Sequence, residues 1–246
     1  MKKQNLLFIP LILSLCSCNF ADGGNEITYQ NVPAVVWESG MGGTTIGVAG
    51  TILSAPPSYD VDAGDCVWLH QFTIDYDNQP SNSYLTVTNV AKDRIEPIVY
   101  NDIEQLIGDP IEQDEYTLPL SIVRAWADPY YRGRFFVMTS CGDKNPTVRL
   151  IYNPEEEEIN GVKTIYIQAK PSSSSLESTN FSKIHVFDLQ NLIYEYGQEG
   201  SYNSSENNII YVKADLKYLE NSEWKKAVNM LYEDPSKPFE ISFFID

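Results

Sequence analysis

Apolar and polar residues alternate in short runs along most of this chain, and glycine, proline and asparagine separate the runs. Runs of this kind, with no helical period between them, are typical of β-strands joined by turns. In the first half of the chain, the pattern predicts strands at residues 32–37, 44–53, 66–76 and 84–91. Four or five short strands are typical of a small closed or nearly closed β-barrel.

The run at residues 66–76 alternates most clearly. It places Trp68, His70, Phe72 and Ile74 on one side of a strand, and we expect Trp68, Phe72 and Ile74 to face the barrel core. His70 shares that side. We therefore expect His70 to be hydrogen-bonded at the core or rim rather than to act in catalysis or metal binding.

The second half of the chain predicts a further series of strands. Seven or eight strands within residues 120–246 are typical of an antiparallel sandwich of immunoglobulin-like size. Residues 188–192 fit a one-turn crossover between two sheets, and residues 171–176 and 197–208 fit polar loops. The strands are predicted at residues 120–127, 134–140, 147–153, 164–169, 183–189, 209–219, 227–231 and 239–245.

The strand pattern is interrupted between the two halves. Residues 102–107 fit a short helix that begins at Asn101 or Asp102 and ends at Gly108. The resulting prediction is an all-β chain with two domains and a junction between them. The predicted limits are residues 27–97 for the barrel domain, 98–119 for the junction with its short helix, and 120–246 for the sandwich domain.

The beginning of the chain has a different pattern. Two lysines precede an apolar run at residues 6–13, and the small residue Ser17 precedes Cys18. The run is shorter than the roughly twenty residues that a membrane-spanning helix needs, and this order of features is that of an export signal. Because a bulky leucine precedes Cys16, Cys18 is the predicted lipidation site. An ordinary secretory signal at residues 1–17 is the alternative.

Cleavage before Cys18 makes this cysteine the mature N-terminus. We expect it to carry two or three acyl chains, which anchor a protein stably in a membrane. Residues 18–26 are short, polar and contain glycine, as a tether does. The formal net charge of −17 becomes −19 when the two lysines of the signal are removed. This charge excludes nucleic acid as a partner, and the 43% hydrophobic content is that of a folded chain.

Two other cysteines, Cys66 and Cys141, remain in the mature chain. An oxidising compartment permits a disulfide between them if their Cα atoms come within about 7 Å. They fall in different predicted domains, so two separate thiols are the favoured interpretation, with a disulfide as the alternative.

Residues for catalysis do not occur in the patterns that the chemistry requires. No G-x-S-x-G stretch accompanies the two histidines, His70 and His185, and neither has a second ligand at H-x-x-x-H or C-x-x-C spacing. No pair of carboxylates is set in apolar surroundings, as glycoside cleavage requires. We therefore expect a protein that is not an enzyme and that holds no cofactor.

A calcium site is the one metal hypothesis that the sequence offers. Asp60, Asp62 and Asp65 alternate beside a glycine, so a bent loop could gather their oxygens. Gln71 stands where an EF-hand loop has its bidentate glutamate. The alternative is a polar turn that leads into the third strand.

The candidate ligand-binding loop combines two aromatic and two guanidinium side chains. Tyr130, Tyr131, Arg132 and Arg134 follow a turn-forming Asp-Pro pair. Tyrosine rings stack on the faces of sugars, and arginine donates to hydroxyl groups. The alternative is a hairpin whose tyrosines fold back onto the sandwich.

Several short motifs, in order along the chain, carry a family resemblance. They follow the lipoprotein signal and end with Phe187-Asp188-Leu189 and Leu192, which is similar to an FDLxxL turn. In this order the chain resembles the NigD-like lipoproteins of Bacteroidetes over nearly its whole mature length. The resemblance implies an N-terminal OB-like barrel and a C-terminal β-sandwich, and it brings no catalytic residues. The other motifs lie at residues 55–59, 63–67, 84–90 and 107–111.

Together these patterns favour an outer-membrane lipoprotein, on the cell surface or the periplasmic side, that binds a glycan or an envelope protein without catalysis. The alternative is a structural or assembly component of a surface or secretion complex, whose sheet edges pair with another chain.

Replacing Cys18 by alanine (Cys18→Ala) removes the acylated thiol, so we expect the chain to leave the membrane fraction. Cys16→Ala is the matched control and keeps the chain there. Cell fractionation measures both variants, and protease shaving of intact cells shows whether the wild type faces outward. Membrane retention of Cys18→Ala contradicts lipidation at this residue.

Overall fold

The described part of the chain forms two compact units, Met1–Pro97 and Ile98–Asp246. Nearly all of its elements are strands, so the all-β fold class is confirmed. No helix within it is long and apolar enough to cross a membrane. The computed structural model describes residues 25–40, 43–55, 61–81, 84–87, 95–107, 115–172, 179–201, 208–220, 223–227 and 237–244.

The predicted export signal and Cys18 lie outside the described residues, as does most of the tether. Their assignment stays a prediction. The limits predicted for the tether, the junction and the two domains also stay predictions, although the division into two units falls at Pro97.

The first unit is one curled six-stranded sheet. Its strands are β1 Glu26–Gly40, β2 Gly43–Val48, β3 Thr51–Ala55, β4 Cys66–Asp75, β5 Leu85–Thr86 and β6 Ile95–Ile98. In space they follow the order β5-β3-β2-β1-β4-β6. The curl encloses one hydrophobic cluster, to which β1 to β4 all contribute.

Residues 44–53, which the pattern predicts as one strand, form the β2–β3 hairpin instead. Gly50 lies in the turn with a φ of +76°, a conformation that glycine adopts without a steric penalty. Apolar residues continue on both sides of this turn, so the hydrophobic pattern alone does not reveal it.

The paired strands β1 and β4 both change the side that faces the core, and they do so at the same level. On β1 the core residues Tyr29 and Val32 are three positions apart, and so are Leu69 and Phe72 on β4. Asn31 lies at this level with a φ of +56°. A left-handed residue rotates the strand that contains it, so the alternation restarts on the other side.

This change of side corrects the prediction for the third run. Phe72 and Ile74 face the core as expected, but Val67 and Leu69 hold the core positions in the first half of β4. Trp68 is buried outside that cluster. Strict alternation predicts that the core residues of the run all lie on one side of β4. The sequence of β4 does not reveal the change of side, because Asn31, which lies at this level, belongs to the partner strand.

The second unit is a sandwich of two sheets. Its strands are β7 Tyr100–Asp102, β8 Glu104–Gln105, β9 Ser121–Trp126, β10 Arg134–Cys141, β11 Thr147–Tyr152, β12 Val162–Lys170, β13 Phe181–Asp188, β14 Gln198–Ser201, β15 Asn208–Glu220, β16 Glu223–Lys226 and β17 Phe239–Phe244. The predicted strands between residues 120 and 219 are confirmed, with shifts of one or two residues at their ends. The strand predicted at residues 227–231 lies mostly outside the described residues.

One sheet has the order β7-β13-β10-β9, and the other has the order β14-β15-β12-β11-β8, with β16 and β17 also paired to β15. Both sheets contribute to a single core, in which Phe135 and Phe187 meet Leu150 and Ile167. Strands β12 and β15 run parallel, because the chain between them passes through β13 in the other sheet. The sandwich therefore mixes parallel with antiparallel pairs.

The helix predicted at residues 102–107 is not found. The segment forms β7 and β8, which pair in parallel with β13 and β11. Pairing with a free sheet edge satisfies backbone groups that so short a helix would leave largely unpaired. The one α-helix described, α1 Gln190–Tyr196, follows the FDLxxL turn, and it buries Leu192 and Ile193 in the core.

We expect Asn31→Gly to keep the stability of the first unit, because glycine adopts a φ of +56° without a penalty. Asn31→Val places a β-branched residue there and costs about 1–2 kcal/mol of unfolding free energy. Urea denaturation measures both variants. Equal stabilities would contradict the assignment of the bend to Asn31.

Candidate functional site

The predicted binding loop is built into the second unit. Pro129–Tyr131 form a 3₁₀ turn, in which the Asp128 side chain accepts a hydrogen bond from the Tyr130 backbone N–H at 3.0 Å. Tyr131 is fully buried and packs edge-on against Phe136, with ring centroids 5.1 Å apart. Arg132 ends the turn in a left-handed conformation. For Tyr131 the alternative given above therefore holds, because this tyrosine folds back onto the sandwich.

Arg134 is also a structural residue. Its guanidinium forms an ion pair with Asp188 and lies 4.1 Å from the centroid of the Tyr100 ring. The side chain is only 11% exposed. Binding to hydroxyl groups would require Arg134 to leave this ion pair. Tyr130 and Arg132 are half-buried, and their role in binding stays a prediction.

The other residues singled out by the sequence form no common site. Asp60 lies outside the described residues, and the Asp65 carboxylate accepts the Asp62 N–H at 2.8 Å, which makes a local turn. Within the described ranges, no three His, Cys, Asp or Glu residues are arranged to hold a metal ion. Cys66 and Cys141 are buried thiols in different units, and no disulfide joins them, as favoured above.

A closed polar cluster covers one end of the sandwich core. Lys163 is buried, with its ammonium 4.2 Å from the centroid of the Tyr196 ring. The Tyr152 hydroxyl donates to the Glu195 carboxylate at 2.9 Å, and it accepts from the Gln105 amide. Burial, followed by the Glu195 carboxylate, raises the pKa of Tyr196 to about 12. These groups satisfy one another, so this cluster fastens α1 to the sheet.

A second arrangement lies on the outer side of the larger sheet. We call it the aromatic–cation face. Its members come from β11, β12, β15 and β16 and from the segment before β9, and their side chains point away from the core. They are Tyr116, Arg149, Tyr166, Gln168, Lys217 and Trp224.

At one side of this face, Arg149 is held from three directions. The carbonyl oxygen of the Gln168 side chain accepts from the guanidinium at 3.2 and 2.7 Å. The guanidinium lies 3.7 Å from the centroid of the Tyr116 ring, and Glu104 lies 3.6 Å away. A planar cation between an aromatic ring and an amide is fixed in position, and its outer N–H groups keep a defined direction.

On the other side of the face, two aromatic rings meet. The Tyr166 and Trp224 rings are 4.7 Å apart and tilted by 59°. Tyr166 is buried, and its hydroxyl donates to both carboxylate oxygens of Glu156, at 3.0 and 2.9 Å. Trp224 is half-buried, and Lys217 lies 5.5 Å from the Tyr166 centroid. The buried Tyr166 ring thus supports the half-buried Trp224 ring.

Sequence reasoning missed the aromatic–cation face. Its two contacts join residues 19 and 58 positions apart, and only the strand register brings them together. One signal was present. Arg149 and Gln168 alternate with core residues in predicted strands, which places polar groups on the outer side.

No family model and no curated protein matches the chain. Solved structures do match it. An uncharacterized protein from Parabacteroides merdae ATCC 43184 is 18% identical, with a TM-score of 0.54 over 88% of this chain and 99% of that protein. A candidate lipoprotein from Bacteroides fragilis NCTC 9343 is 13% identical, with a TM-score of 0.52 over 90% and 97% of the two chains. The chain shares their fold.

The matched structures also include a NigD-like immunity protein from Bacteroides caccae ATCC 43185. It is 13% identical, with a TM-score of 0.46 over 92% of this chain and all of that protein. The comparisons therefore place the chain with a fold known from Bacteroidetes proteins.

A half-buried histidine on the other sheet gives a prediction for pH dependence. The Thr139 hydroxyl and His185 Nε2 are 3.0 Å apart. Burial, assisted by the charge of Lys183, lowers the pKa of His185 to about 4. Between pH 6.5 and 4 the unfolded chain therefore binds a proton that the folded chain does not bind.

We expect the unfolding free energy to fall by up to about 3 kcal/mol as pH drops from 6.5 to 4, and this histidine to contribute nothing further below pH 4. Urea denaturation at a series of pH values measures the fall. His185→Asn has no titrating ring and should lack this component. An unchanged pH profile in His185→Asn contradicts the assignment.

Proposed function

We propose that the protein is a lipid-anchored envelope module that binds a glycan without catalysis. The observation that carries the proposal is the aromatic–cation face, where the half-buried Trp224 and Lys217 both lie next to the Tyr166 ring on one rigid sheet. An aromatic ring next to directed hydrogen-bond donors is the arrangement that recognises a sugar, which has an apolar face and a rim of hydroxyl groups.

The sheet supplies the rigidity that such a site needs. Ile151, Tyr166, Lys217 and Lys226 lie on four adjacent strands in one row of paired residues. Neighbouring strands are about 4.8 Å apart, so this row spans about 14 Å, the length of a few sugar units. Side chains on paired strands are held more firmly than side chains on a loop.

Anchorage at Cys18 supports a location in the envelope, because the signal pattern and the fold shared with a candidate lipoprotein agree. We propose the outer membrane as its site, with the module on the cell surface or the periplasmic side. A net charge near −19 would keep the module away from anionic lipid headgroups, so that only the acylated cysteine holds it.

Strand addition to another chain, as an assembly component would require, has less support. The outer strand β9 contains a bulge at Val123, which has no partner between the Met138–Arg124 and Thr139–Ile122 pairs of β10. Bulges in outer strands hinder pairing with a second chain. Cross-linking in the native envelope would identify a recurrent protein neighbour if assembly is the function.

We expect Trp224→Ala to weaken glycan binding at least about tenfold, because the stacking ring is lost. Trp126→Ala, on the other sheet, removes a tryptophan that lies 5.6 Å from the Arg124 guanidinium and should leave binding unchanged. A glycan microarray with neutral and acidic glycans, followed by titration, measures both. The absence of binding by the wild type, or equal binding by Trp224→Ala, contradicts the proposal.

A further inference from the structure

Lys217 occupies the centre of the aromatic–cation face. On β15 it is paired with Tyr166 of β12 on one side and with Lys226 of β16 on the other. Its ammonium lies 5.5 Å from the centroid of the Tyr166 ring. Lys217 therefore presents a positive charge next to the ring pair that supports sugar stacking.

Three other cations on this side of the sheet have carboxylate partners. Arg149 lies 3.6 Å from Glu104, the ammonium of Lys170 lies 2.5 Å from Glu115, and that of Lys226 lies 2.8 Å from Asp215. Among the residues that the structure describes, no carboxylate lies within ion-pair distance of Lys217.

Acidic groups near Lys217 are engaged elsewhere. Asp215, two positions earlier on β15, pairs with Lys226. The Glu156 carboxylate accepts the hydroxyl hydrogen bond of Tyr166. The chain has 34 acidic and 17 basic residues, so a lysine with no carboxylate partner among the described residues is a distinctive feature.

We propose, on the basis of the function proposed above, that the bound glycan carries carboxylate or sulfate groups and that Lys217 binds one of them. A uronic acid or sulfated sugar would stack a ring on Trp224 and place its anion against the ammonium.

The test compares two charge reversals in the mature chain. Lys217→Glu reverses the charge on the aromatic–cation face. Lys225→Glu is the matched control, because Lys225 lies on the adjacent strand, its side chain is 44% exposed, and it belongs to the other side of β16. The probes are a microarray of neutral and acidic glycans, then polygalacturonate oligosaccharides and their methyl esters in titrations.

We expect the wild type to bind acidic glycans and to lose affinity when NaCl is raised from 50 to 500 mM. Lys217→Glu should bind the acidic glycans at least about tenfold more weakly, while Lys225→Glu binds as the wild type does. If the array shows binding to polygalacturonate, titrations with this sugar and with its methyl esters test directly whether binding needs the negative charge. Otherwise the bound acidic glycan and its desulfated or esterified form replace them.

Two outcomes separate this inference from the function on which it rests. Binding to neutral glycans alone, or unchanged affinity in Lys217→Glu, overturns the role of Lys217 and leaves the glycan-binding module in place. Absence of binding to every glycan on the array overturns both. Equal losses in Lys217→Glu and Lys225→Glu also overturn the inference, because they indicate an effect of net charge.

Discussion

The second unit depends on one ion pair, Arg134 with Asp188. These residues face each other on β10 and β13, and the ring of Tyr100 on β7 covers the guanidinium. The same Asp188 accepts the backbone N–H of Gln190, which begins α1, at 2.9 Å. Removing either partner would leave a charge in a largely buried place, and that is costly. Three strands and the helix therefore meet at one contact.

This contact explains the geometry of the turn before it. Gly133 has a φ of +77°, and a Cβ there would lie 2.8 Å from the Gln190 side chain. The Leu189 N–H donates to the Gly133 carbonyl, and the Gln190 amide donates to that of Arg132. These hydrogen bonds thus hold the loop at Tyr130 against the FDLxxL turn. A loop held by these hydrogen bonds has little freedom to close on a ligand.

Sequence reasoning succeeded for features that the residues of a single strand determine. It failed for features that depend on contacts with another segment of the chain. The strands β10 to β13 are visible because apolar residues alternate within each of them. The change of side in β4 is not visible, since the left-handed residue at the same level, Asn31, lies on the partner strand β1. Tyr131 looked exposed because its loop is polar, yet Phe136 and the core supply its surroundings. The contacts of the aromatic–cation face join distant segments of the chain. The local pattern therefore places their residues on strands but does not predict that they contact one another.

The two faces of the larger sheet differ in what stabilises them, and this difference favours the outer one for binding. On the inner side, Leu150, Ile165 and Ile167 gain stability from removal of apolar area from water, and any ligand there would have to displace core. On the outer side, Arg149, Tyr166 and Trp224 are positioned by hydrogen bonds and ring contacts within the sheet layer. Arg149 and Tyr166 are themselves buried, whereas Trp224 and Lys217 are half-buried and can add contacts to a ligand. A preorganised polar and aromatic surface of this kind lowers the entropic cost of binding, which is why rigid strands suit an extended, hydroxyl-rich chain.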